Sequence, residues 1–177
     1  MTSGGRDKGS TFRVRLPLMI VHAGTSFERR TYPATETLGL RAPLPELDGV
    51  QVLAVDDDTD AQALVTETLG AAGALVTAVD SVAKALEMVD TSRPDVLLAD
   101  IGMAGTDGYE LIRRVRQSAD RTIRDIPAAA LTAYARAEDR MKSLQSGFQM
   151  HLAKPIDPAE LIVAVAALAK QAPGRSE

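Results

Sequence analysis

Val96-Leu97-Leu98-Ala99-Asp100, followed by Ile101-Gly102-Met103-Ala104-Gly105-Thr106-Asp107-Gly108, decides the fold. Four apolar residues carry one carboxylate to the end of a short run, and a loop of small residues follows. An uninterrupted apolar run of this length reads as a strand buried on both faces, the kind found in parallel sheets. In open α/β sheets chemistry collects at the carboxyl ends of the strands. Two other stretches bring charge to equivalent places: Asp56-Asp57-Asp58 after Val50–Val55, and Lys154-Pro155 after His151-Leu152-Ala153.

Outward from that run the pattern repeats. Val50–Val55, Ala74–Val79, Asp95–Asp100, Ile126–Leu131 and Met150–Ala153 read as five strands. Between and after them lie five helical stretches. The first has Thr59 and Gln62 as a capping box and Ala61, Leu64, Val65, Thr68, Leu69 and Ala72 as its stripe, ended by Gly73. Ser81 opens the second, with Val82, Ala85, Leu86 and Val89 inward. Asp107 and Glu110 cap the third, which carries Leu111, Ile112 and Val115. A weaker fourth, 136–146, carries Met141 and Leu144 and closes at Gly147. Asp157-Pro158-Ala159-Glu160 starts the last, with Leu161, Ile162, Val165 and Leu168 inward. Right-handed crossovers then predict a doubly wound (βα)5 parallel sheet, flavodoxin-like, in strand order 2-1-3-4-5.

The remainder of the 177 residues divides into an arm (1–18), a proline-bearing linker (19–49), the domain (50–170) and a polar tail (171–177). Residues 1–10 are rich in Gly and Ser and read as flexible, and Thr11–Leu16 alternates like a strand ended by Pro17. The chain has no Cys, which excludes disulfides and thiolate chemistry and fits a cytoplasmic location. No apolar run approaches a membrane span, and the start lacks the apolar core of a signal peptide. Residues 1–49 hold seven Lys/Arg and five Asp/Glu, while the rest carries 13 and 19. An acidic domain argues against nucleic-acid binding, and Arg113-Arg114-x-Arg116 reads as a solvated helix face.

In this topology the strand ends present Asp56 and Asp57, then Asp100, Thr132 and Lys154 to one cleft. Clustered carboxylates repel and need a cation, and oxygen donors favour a hard one, Mg²⁺. Such a set suits phosphoryl transfer to a carboxylate, with Lys154 and Thr132 on phosphoryl oxygens and the Gly102 carbonyl free to ligate metal. Taken singly, each residue has a plainer reading. The acids at 56–58 suit a helix start, Thr132 a turn, and His151 a half-buried packing position. Four strand ends acting together are what carry the functional reading.

These residues resemble the receiver domains of bacterial two-component response regulators. The matching segments are Val55-Asp56-Asp57, Leu98-Ala99-Asp100-Ile101-Gly102-Met103 with Asp107-Gly108, Leu131-Thr132-Ala133 and Lys154-Pro155. The resemblance implies that Asp100 is phosphorylated, that Asp57, Asp100 and the Gly102 carbonyl ligate Mg²⁺, and that Asp56 acts through water. It also implies a cis peptide before Pro155 and a switch through Thr132 and the ring at position 151, where this chain has His151 in place of the usual Tyr or Phe. Ala104 replaces a usual proline, and Asp58 is an additional first-turn acid. Gly9-Ser10-Thr11-Phe12-Arg13-Val14-Arg15-Leu16-Pro17-Leu18 resembles the closing strand of a histidine-kinase ATP-binding domain. Together these imply the C-terminal receiver of a hybrid kinase, with a histidine kinase dimerisation domain or a histidine phosphotransfer domain as partner. Two alternatives stand beside it. One is a phosphatase of the haloacid dehalogenase type using Asp56 of Asp56-x-Asp58, although Asp60 follows where Thr or Val belongs. The other is an unphosphorylated docking module.

Overall fold

Side chains that alternate between the two covered faces of a five-stranded sheet organise the domain into three layers. The computed structural model describes residues 2–3, 10–11, 43–103, 107–133 and 137–173. The chain divides into two units, 1–40 and 41–177. In the first, β1 (Thr2–Ser3) pairs antiparallel with β2 (Ser10–Thr11), with Thr2 opposite Thr11 and Ser3 opposite Ser10. The Gly/Ser-rich start thus contributes a short strand. The expectations for Phe12–Leu18 and for most of the linker lie outside the described residues, as does Ala104.

The second unit contains β3 (Gln51–Val55), α1 (Thr59–Ala71), β4 (Leu75–Val79), α2 (Val82–Ser92), β5 (Val96–Asp100), α3 (Gly108–Arg116), α4 (Arg121–Arg124), β6 (Ala128–Thr132), α5 (Ala137–Ser146), β7 (Met150–Ala153) and α6 (Pro158–Ala169). The sheet runs β4-β3-β5-β6-β7, with every pairing parallel. Counting only its own strands, that is the predicted order 2-1-3-4-5. Strand β5 lies at the centre and is buried along its whole length. Successive side chains of a strand point to opposite faces. Accordingly Val52, Ala54, Val96, Leu98 and Leu131 pack with α1 and α6 residues Val65, Leu69, Leu161, Val165 and Leu168. Leu53, Val55, Leu97, Ala99 and Ala130 pack on the other side with Val82, Ala85, Val89, Leu111, Ile112 and Val115 of α2 and α3.

Several local expectations shift. Asp58, not Thr59, caps α1, its side chain accepting from the amides of Asp60 and Ala61. A carboxylate accepts such amides more readily than a hydroxyl and also meets the positive end of the helix dipole. Leu64 faces solvent, 48% exposed, because α1 buries a narrower stripe centred on Val65 and Leu69. The four-residue α4 between α3 and β6 was not expected, being too short to show a period. Met141 and Leu144 of α5 are also exposed, 57% and 42%. Arg113 and Arg114 pair with Glu110 at the surface as read. Arg116 instead turns inward, donating to the carbonyls of Gly147 (3.0 Å) and Arg124 (2.6 Å). Burial lowers its pKa from the ordinary arginine value, against the opposing charge of Asp125. Ahead of β3, Leu47 is 1% exposed and joins the α1/α6 core, its amide donating to the Ala72 carbonyl. Among the described residues no helix is long and apolar enough to cross a membrane.

Candidate functional site

The carboxyl ends of β3, β5, β6 and β7 meet at one rim of the sheet. Parallel register places them there: Val55 lies beside Ala99, Asp100 beside Leu131, and Thr132 beside Ala153. Asp56, one residue past β3, is 2% exposed, Asp100 is 8% and Thr132 is 1%. Asp57 is exposed. One oxygen from each of Asp56, Asp57 and Asp100 can be chosen so that all lie within 4.8 Å of one another.

Lys154 closes the cluster from β7. Its amide donates to the Thr132 carbonyl, which fixes the strand end, and the Lys154–Pro155 peptide is cis, as the resemblance implies. Its ammonium donates to Asp56 Oδ2 at 2.6 Å and Asp100 Oδ2 at 2.8 Å. Burial alone would lower the pKa of Lys154. The hydrogen bonds and charges of Asp100 and Asp56 outweigh it and raise the pKa above the ordinary lysine value. Two carboxylates sharing one ammonium still carry net negative charge, and Asp57 adds more, so the hollow attracts a further cation.

Backbone donors orient both buried acids. The Asp58 amide donates to Asp56 Oδ1 at 3.0 Å, and the Gly102 amide to Asp100 Oδ1 at 2.7 Å. A Cβ on Gly102 would stand 3.3 Å from Asp100 Oδ1, tighter than ordinary contact, so glycine keeps that approach open. Gln62 of α1 donates from Nε2 to the Asp56 carbonyl at 2.6 Å. It secures the acid's backbone, in place of the capping box with Thr59 that its spacing suggested. Asp58 is occupied by its capping bonds and falls outside the three-acid group. That removes the second acid of the Asp56-x-Asp58 phosphatase reading from the hollow.

All oxygen, no sulfur and no imidazole: this donor set fits a hard divalent cation such as Mg²⁺. Asp56, Asp57 and Asp100 are placed to hold it. His151 sits on β7, half-buried, one residue along from Leu152 and facing a cavity of about 420 Å³ between α5, β7 and α6. Its Nε2 is buried without a hydrogen-bond partner. A larger cavity, about 590 Å³, lies elsewhere, between residues 44–48 and the C-terminal end of α1.

The chain is similar to several known proteins. Residues 52–166 match the family model described as the response regulator receiver domain. An uncharacterized 14.6 kDa protein of Leptolyngbya boryana is 44% identical over 113 residues, spanning 64% of this chain and 85% of that one. The sensor histidine kinase GacS of Pseudomonas protegens is 36% identical over 147 residues, 80% of this chain but only 15% of its own length. The response regulator MprA of Mycobacterium leprae is 34% identical, and this chain spans 52% of it. Among solved structures, the signal receiver domain of a signal transduction histidine kinase from Syntrophus aciditrophicus superposes with TM-score 0.64 at 26% identity, over 73% of this chain and 96% of that one. A Francisella response regulator receiver domain superposes with TM-score 0.63 at 28% identity, over 70% and 98%.

Proposed function

Since the chain belongs to the response regulator receiver domain family, we propose that its acidic hollow accepts a phosphoryl group on Asp100 from a phosphohistidine, with Mg²⁺ as cofactor. The observation that carries this reading is the joint hold of Lys154 on Asp56 and Asp100. It unites the ends of three strands around one nucleophilic carboxylate.

An Asp100 carboxylate oxygen attacks phosphorus. A new P–O bond forms as the P–N bond to the donor imidazole breaks, and the imidazole leaves with the electron pair and takes a proton. When bound, Mg²⁺ neutralises charge on the transferring phosphoryl oxygens. Asp57, Asp100 and the Gly102 carbonyl are its direct ligands in this reading, and Asp56 acts through water. Lys154 then trades a carboxylate partner for a phosphoryl oxygen, a charge-assisted bond of similar geometry. Thr132 donates to a second phosphoryl oxygen, and exposed Ala133 leaves space for the group. The inward move of Thr132 frees room toward His151, and the pair forms the switch.

Membership of a hybrid kinase, with the receiver following a kinase ATP-binding domain, is supported by two features. The GacS alignment is longer than the receiver match, and Gly9–Leu18 resembles the closing strand of a kinase ATP-binding domain. The partner is then a histidine kinase dimerisation domain or a histidine phosphotransfer domain, and the location is cytoplasmic. The test is labelling with acetyl phosphate and Mg²⁺. The unaltered chain gains one phosphoryl group, and Asp100→Asn gains none. Undiminished labelling of Asp100→Asn would overturn the assignment.

A further inference from the structure

Asp100 is linked to α5 by a chain of contacts through Gly108 and Tyr109 that the phosphoryl chemistry does not use. Gly108, the first residue of α3, is pressed against the phosphoacceptor strand. A Cβ built on it would lie 2.5 Å from the Asp100 carbonyl oxygen and 3.3 Å from Ile101 Cα. The end of β5 therefore cannot advance without moving the start of α3. The next residue, Tyr109, is 6% exposed and reaches across to α5. Its hydroxyl lies 3.5 Å from Ser143 Oγ, a side chain with no exposure. Lys142 Nζ stands 4.3 Å from its ring centroid, within cation–π range. Its ring meets Phe148 edge-on, with centroids 6.5 Å apart at 69°. Beyond the far end of α5, the Arg116 guanidinium holds the Gly147 carbonyl. Helix α5 is thus gripped midway by Tyr109 and fixed at its C-terminal end, while Met141 and Leu144 give it no anchor in the core.

We propose that Tyr109 is a positioning residue. It passes a displacement at Asp100 through Gly108 to Ser143 and Lys142 of α5, in parallel with the Thr132 route. The proposal rests on the receiver reading above. Small shifts of a packed helix are a common form of switching, and the physical requirement is an element with two arrangements that the site biases. α5, with few buried side chains among those described, is the element suited to that.

The test is hydrogen exchange of the segment 141–148 in the full chain, with Mg²⁺ alone and with Mg²⁺ plus acetyl phosphate, alongside phosphoryl incorporation at Asp100. In the unaltered chain phosphorylation changes exchange in this segment. Tyr109→Leu keeps incorporation but loses more than half of that change, and Tyr109→Phe and Lys142→Met each lose a smaller part. Lys142 is exposed, so its variant remains informative should Tyr109→Leu fail to fold. Normal incorporation with a full α5 response in both Tyr109→Phe and Lys142→Met would overturn the coupling and leave the receiver reading intact. An unaltered chain that takes no phosphoryl group would overturn both.

Discussion

Strand β5 and helix α5 are held in opposite ways. Every residue of β5 is buried, and both of its neighbours pair with it in parallel register. Among the described side chains of α5, Ser143 is the one fully buried, and two large apolar residues face water. The strand places Asp100 where three other strand ends converge, and its position is over-determined. The helix depends on a few contacts, those of Ser143, Lys142 and the segment just after it. Elements with little buried apolar surface open and shift at low cost. In the proposed reading the contrast is a division of labour, with chemistry on the rigid sheet and response on the loosely seated helix.

The contrast predicts unequal stability effects. Leu98→Ala on β5 removes a fully buried side chain from the α1/α6 core and should cost about 2–5 kcal/mol. Leu144→Ala on α5 should stay within about 0.5 kcal/mol. Denaturant midpoints measure both, and similar losses would erase the distinction.

Lys154→Met comes next in size. It leaves two buried carboxylates facing each other without a cation and should cost about 1–3 kcal/mol in metal-free buffer, with much of the loss restored by millimolar Mg²⁺. The pH dependence has a defined sign. A lysine whose folded pKa is raised adds stability that is present below its unfolded pKa, about 10.4, and lost as pH climbs through the higher folded value. The unaltered chain should therefore weaken in that alkaline window more than Lys154→Met does, as thermal midpoints across the window would reveal. Parallel curves would place Lys154 outside the cluster's electrostatics.

Smallest is Asp58→Ala. Loss of the α1 cap should cost about 1 kcal/mol while leaving phosphoryl incorporation at Asp100 in place, because Asp58 caps a helix and does not line the hollow. Abolished incorporation would return Asp58 to the reactive group.

The sheet was legible because parallel strands are written as uninterrupted apolar runs, and Val96–Ala99 and Val52–Val55 are such runs. The site was legible in part because charge at a strand end has few structural uses. The shared grip of Lys154 on Asp56 and Asp100 was not legible, since it spans 98 and 54 residues of chain and depends on side-chain reach. The fit of Gly108 against the Asp100 carbonyl was hidden because it depends on how closely the start of α3 approaches the strand end, which no sequence period records. Surface choices were read least well. The periods containing Leu64, Met141 and Leu144 say which residues share a helix stripe, but not how wide a stripe the neighbouring layer covers. Arg116 looked like its surface neighbours because only the fold brings the Gly147 and Arg124 carbonyls within its reach.

The most direct measurement is mass-spectrometric mapping of the acyl phosphate formed with acetyl phosphate and Mg²⁺. Modification is expected at Asp100 alone, and modification at Asp56 would overturn the receiver assignment of the nucleophile.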